Sequence, residues 1–171
     1  HFSPSDIQEI RIAVNPFVLG MCGKYDRHPM NAAQLSIPYS VAADLVFGNA
    51  SLGAFERERR DDPRLTAMMG RIKLTADKAQ KDDDESIVTV ELADRRTFSC
   101  RVSDPLGSPT NPVTDEALFR KFLSVSGIVF GEVHSKLLAE RLLGIEGIPD
   151  MKAALLPLLG AKPAHEGPFS A

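Results

Sequence analysis

The sequence predicts an α+β fold: a small antiparallel sheet of about four strands packed with helices, followed by a C-terminal helical segment. Three observations lead there. Apolar and polar residues alternate with period two at Ile10 to Val14, Ile87 to Leu92 and Thr97 to Val102. Ile37, Val41 and Leu45 recur every four residues between the first strand and the others. After residue 113 the apolar spacing is helical almost throughout.

Length and composition set the frame. A chain of 171 residues, 43% hydrophobic and 25% charged, can bury a sizeable core and suits one domain with a helical appendage. The net charge of −3 gives no electrostatic case for nucleic acid or an anionic membrane. No apolar run approaches the ~20 residues of a membrane span. Cys22 and Cys100 are too few for a disulfide framework and read as free thiols. With no charged-then-apolar leader, the expected location is cytoplasmic.

Ser3-Pro4-Ser5-Asp6 reads as a turn before the first strand, in which Ile10, Ile12 and Val14 alternate with Arg11 and Ala13. A long loop is expected from Asn15 to about Met30, punctuated by Pro16, Gly20, Gly23 and Pro29. A helical stretch follows from Asn31 to Phe47. Pro38 fits only a first turn, so the regular helix starts near Ser36 or Ile37, and Gly48-Asn49 stops it. A short helix is expected over Leu52 to Glu58. Asp61 or Asp62 caps the next helix, with Pro63 at its first position and Leu65, Met68 and Met69 as its apolar face.

Ile72 to Ala76, Ile87 to Leu92 and Thr97 to Val102 are three consecutive strands, and short links favour an antiparallel meander. Asp94-Arg95-Arg96 makes the last hairpin turn. Asp77 to Glu85, ending in Asp82-Asp83-Asp84-Glu85, reads as a solvated acidic loop. The Pro- and Gly-rich run Asp104 to Val113 marks a boundary, giving segments 1–112, 113–160 and a loose tail, 161–171. Thr114-Asp115-Glu116 caps a helix with the stripe Leu118, Phe122, Val125 and Val129. A second helix runs from about Val133 to Leu143, and a third starts near Met151 and is bent or ended by Pro157. The wide apolar faces of these helices fit docking against something larger.

The motifs of self-contained catalysis are missing from the sequence. The four His (His1, His28, His134, His165) are scattered, and no Cys or His cluster has metal-ligand spacing, so no metal or cofactor is expected. There is no phosphate loop and no nucleophile elbow. What remains is Cys22 to Tyr39, which gathers Lys24, Tyr25, Arg27, His28, Asn31, Gln34, Ser36 and Tyr39 ahead of a helix N-terminus. Cationic, phenolic and amide groups at such a place suit a carboxylate-bearing substrate. The other reading is that Tyr25 and Tyr39 are packing residues and the rest is solvated loop.

Ala33-Gln34-Leu35-Ser36-Ile37-Pro38-Tyr39-Ser40-Val41-Ala42 resembles the "A-x-F-S-L-P-Y-x-x-A" segment of the MmgE/PrpD family. That family includes 2-methylcitrate dehydratase, cis-aconitate decarboxylase and iminodisuccinate epimerase. Asp62-Pro63 ahead of Leu65, Met68 and Met69 is similar to its "D-P-x-V-x-x-L-M" helix. Pro105-Leu106-Gly107-Ser108-Pro109-Thr110-Asn111-Pro112 is similar to its "P-R-G-x-P-x-N-P-L-S" loop, and Lys121-Phe122 to its "K-F" pair. The likeness runs from about Ile7 to Leu159. Two departures stand out: the "D-G-R" hairpin reads Asp94-Arg95-Arg96, and the loop's Arg is Leu106.

The resemblance implies a cofactor-independent lyase or isomerase acting on a small di- or tricarboxylate. In such enzymes a large helical domain is interrupted by a smaller α/β lid. The strands here would be the lid, and the helices after Thr114 would return to the helical domain. The family's main catalytic His, Lys and Asp residues would lie upstream, in a missing N-terminal helical domain, so the fragment alone would be inactive. Tyr39 matches the tyrosine that the lid contributes to the cleft and would be the catalytic residue. Gln34, Ser36, His28 and Arg27 would contact substrate. A homodimer is the expected assembly. The alternative is a stand-alone protein-interaction module without catalytic activity.

Overall fold

Strand β1 (Ile7–Val14) sits at the centre of the sheet because it has the most regular apolar face: Ile7, Ile10, Ile12 and Val14 are all buried. The computed structural model describes residues 2–80 and 86–160. The acidic run Asp82 to Glu85 and the tail 161–171 therefore lie outside the described residues. The chain divides into two compact units, His1–Pro105 and Leu106–Ala171.

In the first unit, β2 (Ile72–Ala76), β3 (Ser86–Leu92) and β4 (Thr97–Val102) complete a four-stranded sheet in the order β2-β1-β3-β4. The α+β class and the strands stand where the sequence puts them, but two expectations are corrected. The sheet is mixed rather than antiparallel: β1 runs parallel to β2, with Ile10 opposite Ile72, and antiparallel to β3, with Ile10 opposite Val90. The second correction concerns order. β2, β3 and β4 are no meander, since β1 lies between β2 and β3. A parallel pair needs a long crossover, and residues 15–71 supply one whose helices bury their apolar sides on the sheet. Only β3 and β4 form the expected hairpin. Its turn puts Arg95 at φ 72°, where the family pattern has glycine.

The expected loop from Asn15 to Met30 contains a helix, α1 (Pro16–Cys22). Asn15 caps it, its Oδ1 accepting from the Val18 N–H at 2.8 Å, and Pro16 takes the first helical position. The glycines read as loop punctuation conceal this: Gly20 sits in open space inside the helix and Gly23 ends it. The next helical stretch is two pieces, α2 (Met30–Gln34) and α3 (Ile37–Phe47). Ser36 caps α3, Pro38 lies in its first turn, and Gly48 closes it in the left-handed region at φ 76°. The short helix expected at Leu52 to Glu58 is a 3₁₀ turn, Leu52–Phe55, followed by α4 (Arg57–Arg60). Asp62 caps α5 (Pro63–Met69), whose Leu65, Met68 and Met69 are buried in the core, where the helix packs against α3.

The second unit opens with a tight turn in which the Gly107 N–H donates to the Asn111 carbonyl at 2.8 Å, with Gly107 at φ 100°. Thr114 caps α6 (Asp115–Phe130), accepting from the Ala117 N–H at 3.2 Å. Gly131, at φ 76°, turns the chain into α7 (Glu132–Leu143). Helix α8 (Met151–Leu159) runs on through Pro157 instead of ending there. None of the residues of α6 is buried, and the groove between α6 and α7 is lined by Leu118, Phe119, Phe122, Leu142 and Leu143.

Candidate functional site

The first turn of α3 is built on one hydroxyl. Ser36 Oγ donates to the Lys24 carbonyl at 2.6 Å and accepts from the Tyr39 N–H at 3.1 Å. It thereby caps the helix and fixes the loop in front of it. Tyr39 then points into the core, 0% exposed. Its ring stacks on Phe55 with centroids 5.1 Å apart, and its hydroxyl donates to the Ala54 carbonyl at 2.6 Å. Burial raises the Tyr39 phenol pKa above the ordinary value, against the opposing pull of the Arg60 and Arg27 charges. Gln34 is exposed at the end of α2. Tyr25, by contrast, serves the sheet: its hydroxyl donates to the Ile72 carbonyl at 2.8 Å.

Arg27 and His28 converge on a residue the sequence reading did not single out. Arg60, the last residue of α4, is only 8% exposed. A guanidinium at such depth needs acceptors. Its Nε donates to the Phe55 carbonyl at 2.9 Å, and its Nη1 donates to the Arg27 carbonyl at 3.1 Å and to His28 Nδ1 at 2.6 Å. Arg27 answers through Nη1, which donates to the Arg60 carbonyl at 2.8 Å. These reciprocal bonds join the loop before α2 to α4.

The pairing settles the hydrogen on the imidazole. A guanidinium can only donate, so His28 Nδ1 accepts and the ring proton lies on Nε2. Nε2 donates in turn to Asp61 Oδ1 at 2.8 Å. With Nδ1 taken by Arg60, this contact is a hydrogen bond from a neutral ring rather than an ion pair. The other carboxylate oxygen, Asp61 Oδ2, is 3.9 Å from Arg57 Nε. His28, Pro29, Met30, Arg57, Arg60 and Asp61 line an open depression on the surface. Its imidazole N–H and exposed guanidinium form a donor set that suits a carboxylate, and both are turned towards the Asp61 carboxylate.

The sequence-predicted residues thus fall into two connected groups. Ser36 and Tyr39 are internal, at the start of α3, while His28 lines the depression and Arg27, its chain neighbour, is bound to the Arg60 carbonyl. A shared backbone links them: Tyr39 grips the Ala54 carbonyl and Arg60 the adjoining Phe55 carbonyl. Arg60 itself sits in the run Arg57-Glu58-Arg59-Arg60, which looks solvated throughout. Nothing in the sequence marks which of its cations turns inward.

A family model for the MmgE/PrpD C-terminal domain matches residues 1–144. The chain belongs to the MmgE/PrpD family. The match takes in all of the first unit and continues through α7. None of the curated proteins compared matches the chain. MmgE/PrpD proteins are in general enzymes of the dehydratase and lyase kind, and this chain carries their C-terminal domain. Among the described residues, no group of His, Cys, Asp and Glu could hold a metal ion, and no helix is long and apolar enough to cross a membrane.

Proposed function

We propose that this MmgE/PrpD C-terminal domain is the lid of a lyase or isomerase acting on a small di- or tricarboxylate, in the manner of 2-methylcitrate dehydratase. The observation that carries this reading is the family match over residues 1–144. The depression beside His28 supports the substrate class, because its donors suit a carboxylate. A dehydratase removes the proton next to a substrate carboxylate with a base of the helical domain and expels hydroxide, which leaves as water once protonated; an epimerase removes the same proton and returns one to the opposite face; a decarboxylase instead breaks the bond to CO2, and the electron pair left on carbon takes up a proton.

In this reading Arg27 and His28 bring the lid's positive and hydrogen-bonding groups to the substrate, with exposed Gln34 nearby in sequence. Ser36 acts by capping α3. Tyr39, as the lid's acid or base, reaches substrate only when its hydroxyl leaves the Ala54 carbonyl, which requires the Leu52–Phe55 turn to shift as the lid closes. The apolar faces of α6 and α7 support docking onto a helical domain and assembly as a homodimer.

The test is turnover. The 171-residue chain alone is expected to show no conversion of 2-methylcitrate, cis-aconitate or iminodisuccinate. Sustained turnover of any of them by this chain would overturn its assignment as a lid. The same exposed faces favour a second reading, a protein-interaction module, and a full-length protein without any activity on these carboxylates would select it.

A further inference from the structure

Resting on the carboxylate reading above, we propose that Arg60 is a positioning residue that commits His28 to the Nε2–H tautomer, and that Asp61 occupies the place a ligand carboxylate takes. Arg60 is suited to this because it is itself immobilised. Backbone carbonyls of Phe55 and Arg27 hold its guanidinium, it is 8% exposed, and its Nη1 reaches His28 Nδ1 at 2.6 Å. A ring whose Nδ1 must accept has one hydrogen to offer, on Nε2, and that edge faces the depression.

The present occupant of that edge is a carboxylate. Asp61 presents one oxygen to His28 Nε2 at 2.8 Å and the other to Arg57 Nε at 3.9 Å. A ligand carboxylate can take up the same pair of donors. Asp61 can give way cheaply because its side chain is 52% exposed and keeps water as a partner. The charged and titratable groups facing His28 are Arg27 from its own loop, Arg57 and Arg60 from α4, and Asp61 after it. The site is therefore self-occupied, and a substrate carboxylate has to displace Asp61.

The experiment uses the full chain labelled with 15N-histidine in mildly alkaline buffer. Citrate is the probe, and His28→Leu assigns the resonance. The wild type is expected to show a protonated Nε2 and an accepting Nδ1 at His28. Asp61→Ala should keep that tautomer, because Arg60 enforces it, and should bind citrate about tenfold more tightly as the competing carboxylate is removed. Arg60→Met should release the ring to a mixture of tautomers. A mixture already present in Asp61→Ala would overturn the role of Arg60, whether or not Arg60→Met folds. A fixed tautomer with no citrate response in either the wild type or Asp61→Ala would leave the positioning role standing. That result would overturn the displacement of Asp61, whereas the carboxylate reading itself stands or falls on turnover by the full-length protein.

Discussion

The Tyr39 hydroxyl donates to the Ala54 carbonyl at 2.6 Å from a site with no solvent exposure. Tyr39→Phe removes the donor and leaves a buried carbonyl without it. The expected cost is about 1 kcal/mol of stability, seen as a lower midpoint in urea at unchanged slope. An unchanged midpoint would mean that water or another donor reaches Ala54. In the full-length enzyme the same variant separates two roles: loss of turnover beyond what the lost stability explains supports the catalytic assignment of Tyr39.

The buried phenol also sets an alkaline limit. Burial raises the Tyr39 pKa in the folded state above the ordinary phenol value of 10.0, with the nearby Arg60 and Arg27 charges working the other way. The folded protein then holds this proton more tightly than the unfolded chain does. Its contribution is fully present below pH 10.0 and is lost as pH rises through the raised folded value. Urea midpoints measured at stepwise higher pH should fall in that window for the wild type. They should fall less steeply for Tyr39→Phe, and identical slopes would refute the attribution.

Arg60→Met is expected to destabilise the first unit by about 3 kcal/mol, because the Phe55 and Arg27 carbonyls and His28 Nδ1 all lose a charged donor. Arg57→Met in the same short helix is the control. Its side chain is 83% exposed and should change the melting temperature little. Equal effects from the two would show that Arg60 is not buried in solution.

Arg95 occupies the left-handed region at φ 72°, an uncomfortable place for a side chain with a Cβ. Arg95→Gly is expected to raise stability by roughly 1 kcal/mol, partly offset by the greater freedom of glycine in the unfolded chain. The Glu91 ion pair that it removes, at 3.2 Å, is on the surface and contributes little. Thermal melting checks it, and a lower midpoint would mean that the ion pair outweighs the backbone.

On the second unit, Leu118 and Leu143 line the α6–α7 groove at 58% and 78% exposure. The double change Leu118→Glu and Leu143→Glu should reduce self-association in sedimentation velocity without lowering the melting temperature. A large loss of stability would place these residues inside a core rather than on a docking face.

Local chemistry fixed much of this molecule before any packing was known. The alternation of Ile10, Ile12 and Val14 needs only a pleated strand with one wet face. Ser36 with Pro38 and Gly48, Asp62 with Pro63, and Thr114 before Asp115 each set a helix end through hydrogen bonds or dihedral preferences within a few residues. The segment around Tyr39 likewise carries its family likeness in adjacent positions. Pairing and burial are different in kind. Whether β2 lies beside β3 or beside β1 depends on how residues 15–71 cross the sheet, and period-two patterning is the same for both. Arg60 and Arg57 are alike in sequence and sit three positions apart in a single turn, yet one is sealed under the Arg27–His28 loop and the other faces water. That distinction, and with it the proton on His28, is made only by contacts between residues about thirty positions apart, which tertiary structure alone can bring together.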